Sequence, residues 1–210
     1  MILGPQLIKK CPSCTNLIKE DSMVSGNTFG ATFWTDGKRE ALMMLDKDLL
    51  IICPHCQAYL WSDNLEVVAE IDLFTKESDD FDYAKHGITP SIKQYANFIN
   101  SEKIDLVKLR YLRLQIWWAG NDIRRENPEL RQMSPLEVDN LQALIVLLAE
   151  HGADQSSIVM KAEVLRELGQ FDEASLALDQ VTDTRLMVVV NQIRQMVEQG
   201  DAVVRKLVFD

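Results

Sequence analysis

Apolar residues are arranged in two different ways along this chain, and the change falls between residues 76 and 88. Before it they form short runs, such as 49–52 and 65–69, which are typical of β-strands. From residue 89 onward they recur every three or four residues, the period of an α-helix. The pattern therefore predicts an α+β protein. We expect a small β domain at residues 1–75, an acidic linker at 76–88 and an all-α domain at 89–210.

The helical part shows start and stop signals as well as periodicity. Ser134, Pro135 and Glu137 have the spacing of a capping box, and Thr89 with Pro90 predicts an earlier helix start. Between residues 104 and 118 two apolar rows run side by side, which indicates burial on two sides, as in stacked helical hairpins. Further helices are predicted at about 134–152 with Gly152 as the stop, at about 155–168, 172–181 and 184–200, and in a short last segment to about 208.

One stretch of these helices matches the tetratricopeptide pattern, in which small residues let two helices approach closely and an aromatic residue fills the gap to the next hairpin. The matching positions are Ala162, Leu165, Gly169, Phe171, Ala174 and Leu178. Gly120 offers a faint second copy. The helical domain is therefore predicted to be tetratricopeptide-like rather than a regular solenoid.

All four cysteines lie in two Cys-Pro-x-Cys pairs: Cys11 with Cys14, and Cys53 with Cys56. Four thiolates are the ligand set that structural zinc prefers, and they leave no coordination position open for substrate or water. Strand-like runs surround both pairs. The β domain is therefore predicted to be zinc-ribbon-like, with Zn²⁺ as a structural cofactor.

Two features of these pairs depart from the usual zinc ribbon. The 38 residues between Cys14 and Cys53 exceed the usual spacing, although doubling a loop adds only about 0.6 kcal/mol of closure entropy. Zinc ribbons also often carry glycine directly after the second cysteine of a pair, where φ is positive. Here Thr15 and Gln57 occupy those positions.

The same sulfurs allow a different class of protein. A thioredoxin-like dithiol enzyme would place one pair at a helix start, and neither pair is followed by a helical pattern. A rubredoxin-like iron site would use all four sulfurs for electron transfer. A nucleic-acid-binding zinc ribbon is a third alternative, which the formal net charge of -10 disfavours.

The remaining composition is that of an ordinary globular protein. The chain opens without a signal-peptide pattern and has no apolar run of about 18 residues, so we expect a cytoplasmic protein without a membrane segment. Reduced thiols are the rule in that compartment, which favours metal over disulfides.

Two groups of residues are candidates for binding a partner. The first lies in the Gly- and aromatic-rich insert between the cysteine pairs, where Phe29, Phe33 and Trp34 could instead close a core over the metal together with Trp61. The second is a stripe at helical spacing, whose alternative is a solvated face with Trp117 packed against a neighbour. The candidates are Trp34, Asp36, Lys38 and Arg39 in the insert, and Arg110, Arg113, Trp117, Asn121 and Arg124 in the stripe.

The cysteine pairs, the segment at 25–40 (SGNTFGATFWTDGKRE) and the segment at 111–122 (YLRLQIWWAGND) together resemble a group of uncharacterised bacterial zinc-ribbon proteins with a tetratricopeptide-like helical C-terminal region. The resemblance implies zinc ligation by the cysteines and a helical tail. It carries no activity and no catalytic residues.

These observations favour a non-catalytic zinc-binding protein-interaction module over an enzyme. Helical hairpins form grooves suited to an adaptor or to a stoichiometric inhibitor, such as an immunity-type protein. The acidic balance is compatible with a partner that is another, basic protein. The alternative is that the charge serves only to keep the protein in solution.

Overall fold

The computed structural model describes residues 1–72, 81–127, 129–150 and 154–209. It combines several small β-sheets with helices, which confirms the α+β class. Two compact units are present. The first comprises Met1–Ala31 and Ala41–Pro90, and the second comprises Thr32–Glu40 and Ser91–Asp210. Part of the predicted linker, at 76–80, lies outside the described residues, as does Gly152.

The first unit is built from short strands. They are β1 (Ile2–Leu3), β2 (Gln6–Lys10), β3 (Leu17–Glu20), β4 (Met23–Ser25), β7 (Leu50–Ile52), β8 (Tyr59–Trp61), β9 (Glu66–Ile71) and β10 (Lys85–His86). Four of them form a sheet in the order β10-β3-β2-β9, in which β10 is parallel to β3 and the other pairs are antiparallel. Strand β1 pairs with β4, and β7 pairs with β8.

The core of this unit consists of branched aliphatic residues. Alternate positions of a strand share one face, so the side chains at such positions are buried together. Ile8 and Ile18 are buried from the central strands, and Leu50 and Ile52 from β7. Lys9 is buried as well. Its Nζ lies 2.7 Å from Glu20 Oε2 and donates to the carbonyl of Ser62 at 3.0 Å, so its charge is compensated inside the unit.

The second unit contains the helices and one hairpin, β5 (Thr32–Phe33) with β6 (Arg39–Glu40), paired antiparallel. Helices that follow one another in the chain pack together from α1 to α6. They are α1 (Ile92–Ser101), α2 (Leu106–Glu126), α3 (Pro135–Glu150), α4 (Gln155–Glu167), α5 (Phe171–Leu178) and α6 (Met187–Glu198).

Most helix ends follow the sequence signals. Glu137 N donates to Ser134 Oγ at 3.4 Å and Ser134 N donates to Glu137 Oε2 at 2.8 Å, so the predicted capping box of α3 is present. Gly169 ends α4 with φ 76°, a left-handed conformation that glycine adopts without strain. The start of α1 was predicted wrongly. Ser91, not Thr89, is its N-cap, because Ser91 and Gln94 form a reciprocal capping box.

The end of the chain was also predicted wrongly. Residues 203–209 form no helix, because their backbone hydrogen bonds go to β5 and the turn that follows it. Leu207 N donates to the carbonyl of Phe33 at 2.8 Å, and Thr35 N donates to the carbonyl of Arg205 at 2.8 Å. The tail therefore extends the hairpin rather than the helix series.

Among the described residues, no helix combines the length and the apolar character needed to cross a bilayer.

Candidate metal centre

The two cysteine pairs lie on turns of the same construction. The first turn joins β2 to β3, and the second joins β7 to β8. In the first, Thr15 N donates to the carbonyl of Cys11 at 2.9 Å and Cys11 N donates to the carbonyl of Asn16 at 3.0 Å. In the second, Gln57 N donates to the carbonyl of Cys53 at 3.0 Å. Each pair of thiols thus lies at the tip of a hairpin of two antiparallel strands.

Both turns require a left-handed residue directly after the second cysteine. Thr15 and Gln57 have φ 62°, and they are the non-glycine residues with positive φ among those described. L-residues pay about 1–2 kcal/mol in this region because Cβ approaches the carbonyl oxygen. The backbone is therefore that of a glycine-bearing turn, although the sequence supplies no glycine.

The four sulfur atoms meet at one point. All four Sγ atoms lie within 4.8 Å of one another. Cys11 Sγ is 3.8 Å from Cys56 Sγ, and Cys14 Sγ is 3.7 Å from Cys53 Sγ. Sulfurs placed about 2.3 Å from a central ion at the corners of a tetrahedron are separated by about 3.8 Å. The four cysteines therefore fit a tetrahedral metal site.

These distances do not fit a disulfide. A disulfide joins its sulfurs at about 2.05 Å, and all four cysteines are free thiols. The sulfur–sulfur contacts of 3.7 and 3.8 Å also run between the two turns. The arrangement is thus one site made of two halves rather than two separate dithiols.

The electrostatics of the site favour a bound cation. Burial raises the pKa of the Cys11 thiol, whereas a hydrogen bond from Asn16 Nδ2, 3.4 Å from Cys14 Sγ, lowers the pKa of Cys14 to about 6. For Cys56 the backbone N–H of Ala58 lowers the pKa, but desolvation and the three other sulfurs together raise it to about 12. Four thiolates this close therefore need a positive charge between them.

Aliphatic residues surround the inner half of the site. Cys11 and Cys53 are fully buried and pack with Ile18, Leu60 and Leu65, while Cys56 is exposed. No described aspartate, glutamate or histidine joins the sulfurs as a further ligand, and His55 is exposed.

The predicted aromatic cover over the metal is wrong. Phe29 is 91 % exposed, and Phe33 and Trp34 belong to the second unit. The side chains packed with the buried sulfurs are aliphatic instead: Ile18, Ile51, Leu60 and Leu65.

The predicted partner stripe on α2 lies inside the second unit. Trp117, Asn121 and Arg124 are at most 5 % exposed, so an exposed contact surface at these positions is wrong and the alternative of a packed Trp117 is what the structure has. Trp117 Nε1 donates to Glu167 Oε2 at 2.9 Å. Arg124 NH1 donates to Glu137 Oε1 at 2.7 Å. These polar residues at helical spacing on α2 therefore belong to a buried hydrogen-bond network and do not face solvent.

Asp36 from the β5–β6 turn enters the same network and is fully buried. Its Oδ2 accepts from Asn121 Nδ2 at 2.8 Å and pairs with Arg125 NH2. The turn itself is the tight one predicted at Asp36-Gly37, with Gly37 at φ 78°. A carboxylate predicted to contact a partner instead fastens the hairpin to α2.

The other partner candidates are less buried, but three of them already contact side chains of the same unit. Arg110 NH2 donates to Ser157 Oγ at 3.1 Å, and Arg113 NH1 donates to Asn140 Oδ1 at 3.3 Å. Lys38 Nζ lies 2.7 Å from Asp122. Trp34 is half-buried, and Arg39 is exposed.

Sequence reasoning missed the acidic half of this network. Burial together with the carboxylates of Glu163 and Asp36 raises the pKa of Glu167 well above its usual value. Glu163 is fully buried and pairs with Arg166 at 2.6 Å. The signal was present, since Glu163 and Glu167 lie one helical turn apart among the apolar positions of α4, where solvated residues do not belong.

Comparison of the chain with protein-family models, with curated proteins and with solved structures finds no match.

We predict that Thr15→Gly stabilises the first unit. Glycine removes the left-handed strain of a β-branched residue but loses about 0.5–1 kcal/mol of chain entropy, so the net gain is about 0.5–1 kcal/mol. Urea unfolding of the metal-loaded protein measures it. Thr28→Gly is the control, because Thr28 does not have positive φ and should lose stability. Equal destabilisation by both changes would contradict a strained turn at Thr15.

We predict that Asp36→Ala destabilises the second unit by about 3 kcal/mol, since it leaves buried Arg125 with one carboxylate partner fewer. Asp179→Ala, which removes an exposed ion pair with Arg194, should cost less than about 1 kcal/mol. Urea unfolding followed by tryptophan fluorescence in a Trp61→Phe background reports this unit. A loss as small as that of the control would return Asp36 to the candidates for partner binding.

Proposed function

We propose that the four cysteines hold one structural Zn²⁺ in a zinc-ribbon-like unit, and that the chain is a non-catalytic module that binds another protein. The observation that carries this proposal is the closed set of four sulfurs. With four protein ligands at tetrahedral spacing, the ion has no position left for substrate or water, which is the property of a structural site.

The redox alternative finds less support in the surroundings of the cysteines. A thioredoxin-like thiol is activated by the start of a helix, and here the turns lead into strands β3 and β8. Iron would fit the same sulfur spacing, so the identity of the metal rests on the composition of the ligand set and is decided by measurement.

The second unit supports a scaffold of tetratricopeptide-like hairpins. Ala162 on α4 and Ala174 on α5 are fully buried where these helices pack, and Leu178 is 1 % exposed. Gly120 on α2 has the same role toward α3, because a Cβ there would lie 2.2 Å from Glu137 Oε1. Small residues at helix contacts are what such stacking requires.

Phe29 and Leu42 of the first unit are more than 90 % exposed, more than the other exposed large apolar side chains of the described residues. We assign these two side chains to the partner-binding surface, because apolar and aromatic side chains supply much of the binding energy of an interface. In the sequence of this unit, Asp and Glu are twice as numerous as Lys and Arg. The partner that we propose is therefore a basic protein with an apolar patch on its surface. This chain would bind it as an adaptor or as an inhibitor.

Metal analysis tests the first half of this proposal. We predict one zinc per chain in colourless protein, and loss of that zinc in Cys53→Ser, with Ser13→Ala as the control inside a turn. Because the ion holds thiolates that protons compete for, zinc and the stability it confers should be lost as pH falls. Red, iron-loaded protein would overturn zinc in favour of electron transfer, and metal-free protein with an exchangeable dithiol would overturn the site.

A pull-down from source-cell extract tests the second half. We predict that Phe29→Ala and Leu42→Ala each weaken capture of a basic protein at least about five-fold, the effect of removing about 1 kcal/mol at an interface. Leu176→Ala, which removes an exposed side chain from the second unit, is the matched control. Raising salt from about 0.05 M to about 0.5 M should weaken the complex, since screening reduces attraction to an acidic surface. Capture that is unaffected by both variants and by salt would contradict the proposal.

A further inference from the structure

A buried carboxyl group without a cation partner lies in the interior of the second unit. Glu167, at the end of α4, is 5 % exposed. Among the described residues no cation forms an ion pair with it, whereas Glu163, one helical turn earlier, pairs with Arg166. Glu167 is therefore the carboxyl group of this unit whose charge the fold does not compensate.

The hydrogen-bond donors that reach Glu167 are neutral. Trp117 Nε1 donates to its Oε2 at 2.9 Å, and Asn121 Nδ2 donates to its Oε1 at 3.1 Å. Neutral donors stabilise an ionised carboxylate only in part. Because burial of an unpaired charge is strongly unfavourable, a carboxyl group in such surroundings keeps its proton.

The neighbouring arginines are already used by other carboxylates. Arg166 donates to both oxygens of Glu163, at 2.6 and 2.8 Å, and its other N–H groups reach two backbone carbonyls of the segment after α6. The buried pairs are Arg124 with Glu137, Arg125 with Asp36, and Arg166 with Glu163. Among the described residues of this network, three arginines thus meet four buried carboxyl groups.

Two carboxylates oppose ionisation of Glu167. Asn121 Nδ2 donates to Asp36 Oδ2 at 2.8 Å as well as to Glu167, so one amide group separates the carboxylate of the hairpin from the carboxyl group of the helix. Burial, and after it the charges of Glu163 and Asp36, raise the pKa of Glu167 well above its ordinary value.

Helices α5 and α6 also pack against α4 but bring no counter-charge in the described part of the chain. Asp172 and Glu173 on α5 are exposed. Arg194 on α6 pairs with Asp179. The charge balance around Glu167 is therefore set by the hairpin, α2, α3 and α4.

From this geometry we propose that Glu167 is uncharged in the folded protein at neutral pH, and that loss of its proton at higher pH weakens the attachment of the β5–β6 hairpin to α2 and α4. An ionised Glu167 would face the Asp36 carboxylate across Asn121, and like charges so placed repel each other. The second unit would thus respond to alkaline pH, independently of zinc and of a protein partner.

The stability of the second unit should therefore fall as pH rises. Unfolded Glu167 ionises near its ordinary pKa of 4.5, whereas folded Glu167 ionises only at the raised pKa, so unfolding between these two values releases a proton. Over that range the contribution of Glu167 should increase the unfolding constant by up to about ten-fold per pH unit.

Glu167→Gln is the matched variant, because its amide has the shape of a protonated carboxyl group and keeps an oxygen for Trp117. The infrared carbonyl stretch of a protonated carboxyl group should be present in the unsubstituted protein at neutral pH and missing in this variant. By urea unfolding in a Trp61→Phe background, the variant should be the more stable protein at neutral pH and above, and the difference should grow with pH. Glu173→Gln, an exposed change on α5, should leave the pH dependence as it is.

Two tryptophan indole N–H signals in ¹H–¹⁵N NMR report the site and the hairpin separately. Trp117 bonds to Glu167, and Trp118 Nε1 donates to the carbonyl of Asp36 at 3.0 Å. The chain has four tryptophans, so Phe variants at the other three assign the Trp117 signal by elimination. Both signals should change together at alkaline pH in the unsubstituted protein and stay constant in Glu167→Gln.

Identical infrared spectra of the two proteins at neutral pH would overturn the uncharged state of Glu167. Unfolding constants that change with pH in parallel would do the same, because no proton would then be released at this residue. A Trp118 signal that stays constant up to the pH at which the protein unfolds would overturn the response of the hairpin.

Discussion

The first unit depends on bringing four sulfur atoms to one point from two turns that are 38 residues apart in the chain. Without a cation this arrangement is unfavourable, because burial and mutual repulsion oppose four thiolates. With a divalent ion the same arrangement gains about 10–16 kcal/mol of apparent binding free energy in small domains, far more than the loop entropy that opposes it. The same gain would outweigh the strain of about 1–2 kcal/mol at each of the turn residues Thr15 and Gln57.

The length of the segment between the turns has a structural explanation. Residues 15–52 contain the hairpin β5–β6, which belongs to the second unit together with the helices. A shorter connection of ordinary zinc-ribbon length could close the metal site but could not carry this hairpin. The segment therefore connects the two cysteine turns and also supplies a hairpin to the second unit. The buried Asp36 in the turn of this hairpin bonds to Asn121 on α2.

The sequence predicted what depends on local spacing and missed what depends on distant contacts. The two Cys-Pro-x-Cys turns, the turn at Gly37 and the capping box at Ser134 each follow from residues a few positions apart. The burial of Trp117 and Asn121 could not be predicted in this way, because their hydrogen-bond partner Glu167 lies 50 and 46 residues further along the chain. Helical periodicity places residues on one face but does not tell which neighbour covers that face. The C-terminal tail was missed for the same reason, since its backbone hydrogen bonds join it to Phe33 and Thr35.

The buried network also explains why the accessible chemistry of this protein lies elsewhere than expected. Arg124, Arg125 and Arg166 are the groups best suited to grip a partner, and each is already paired with a carboxylate inside the second unit. A buried pair broken to serve a partner would leave an uncompensated charge, at a cost of about 3–5 kcal/mol. We therefore propose that recognition uses side chains outside this network, the exposed apolar residues Phe29 and Leu42 of the first unit.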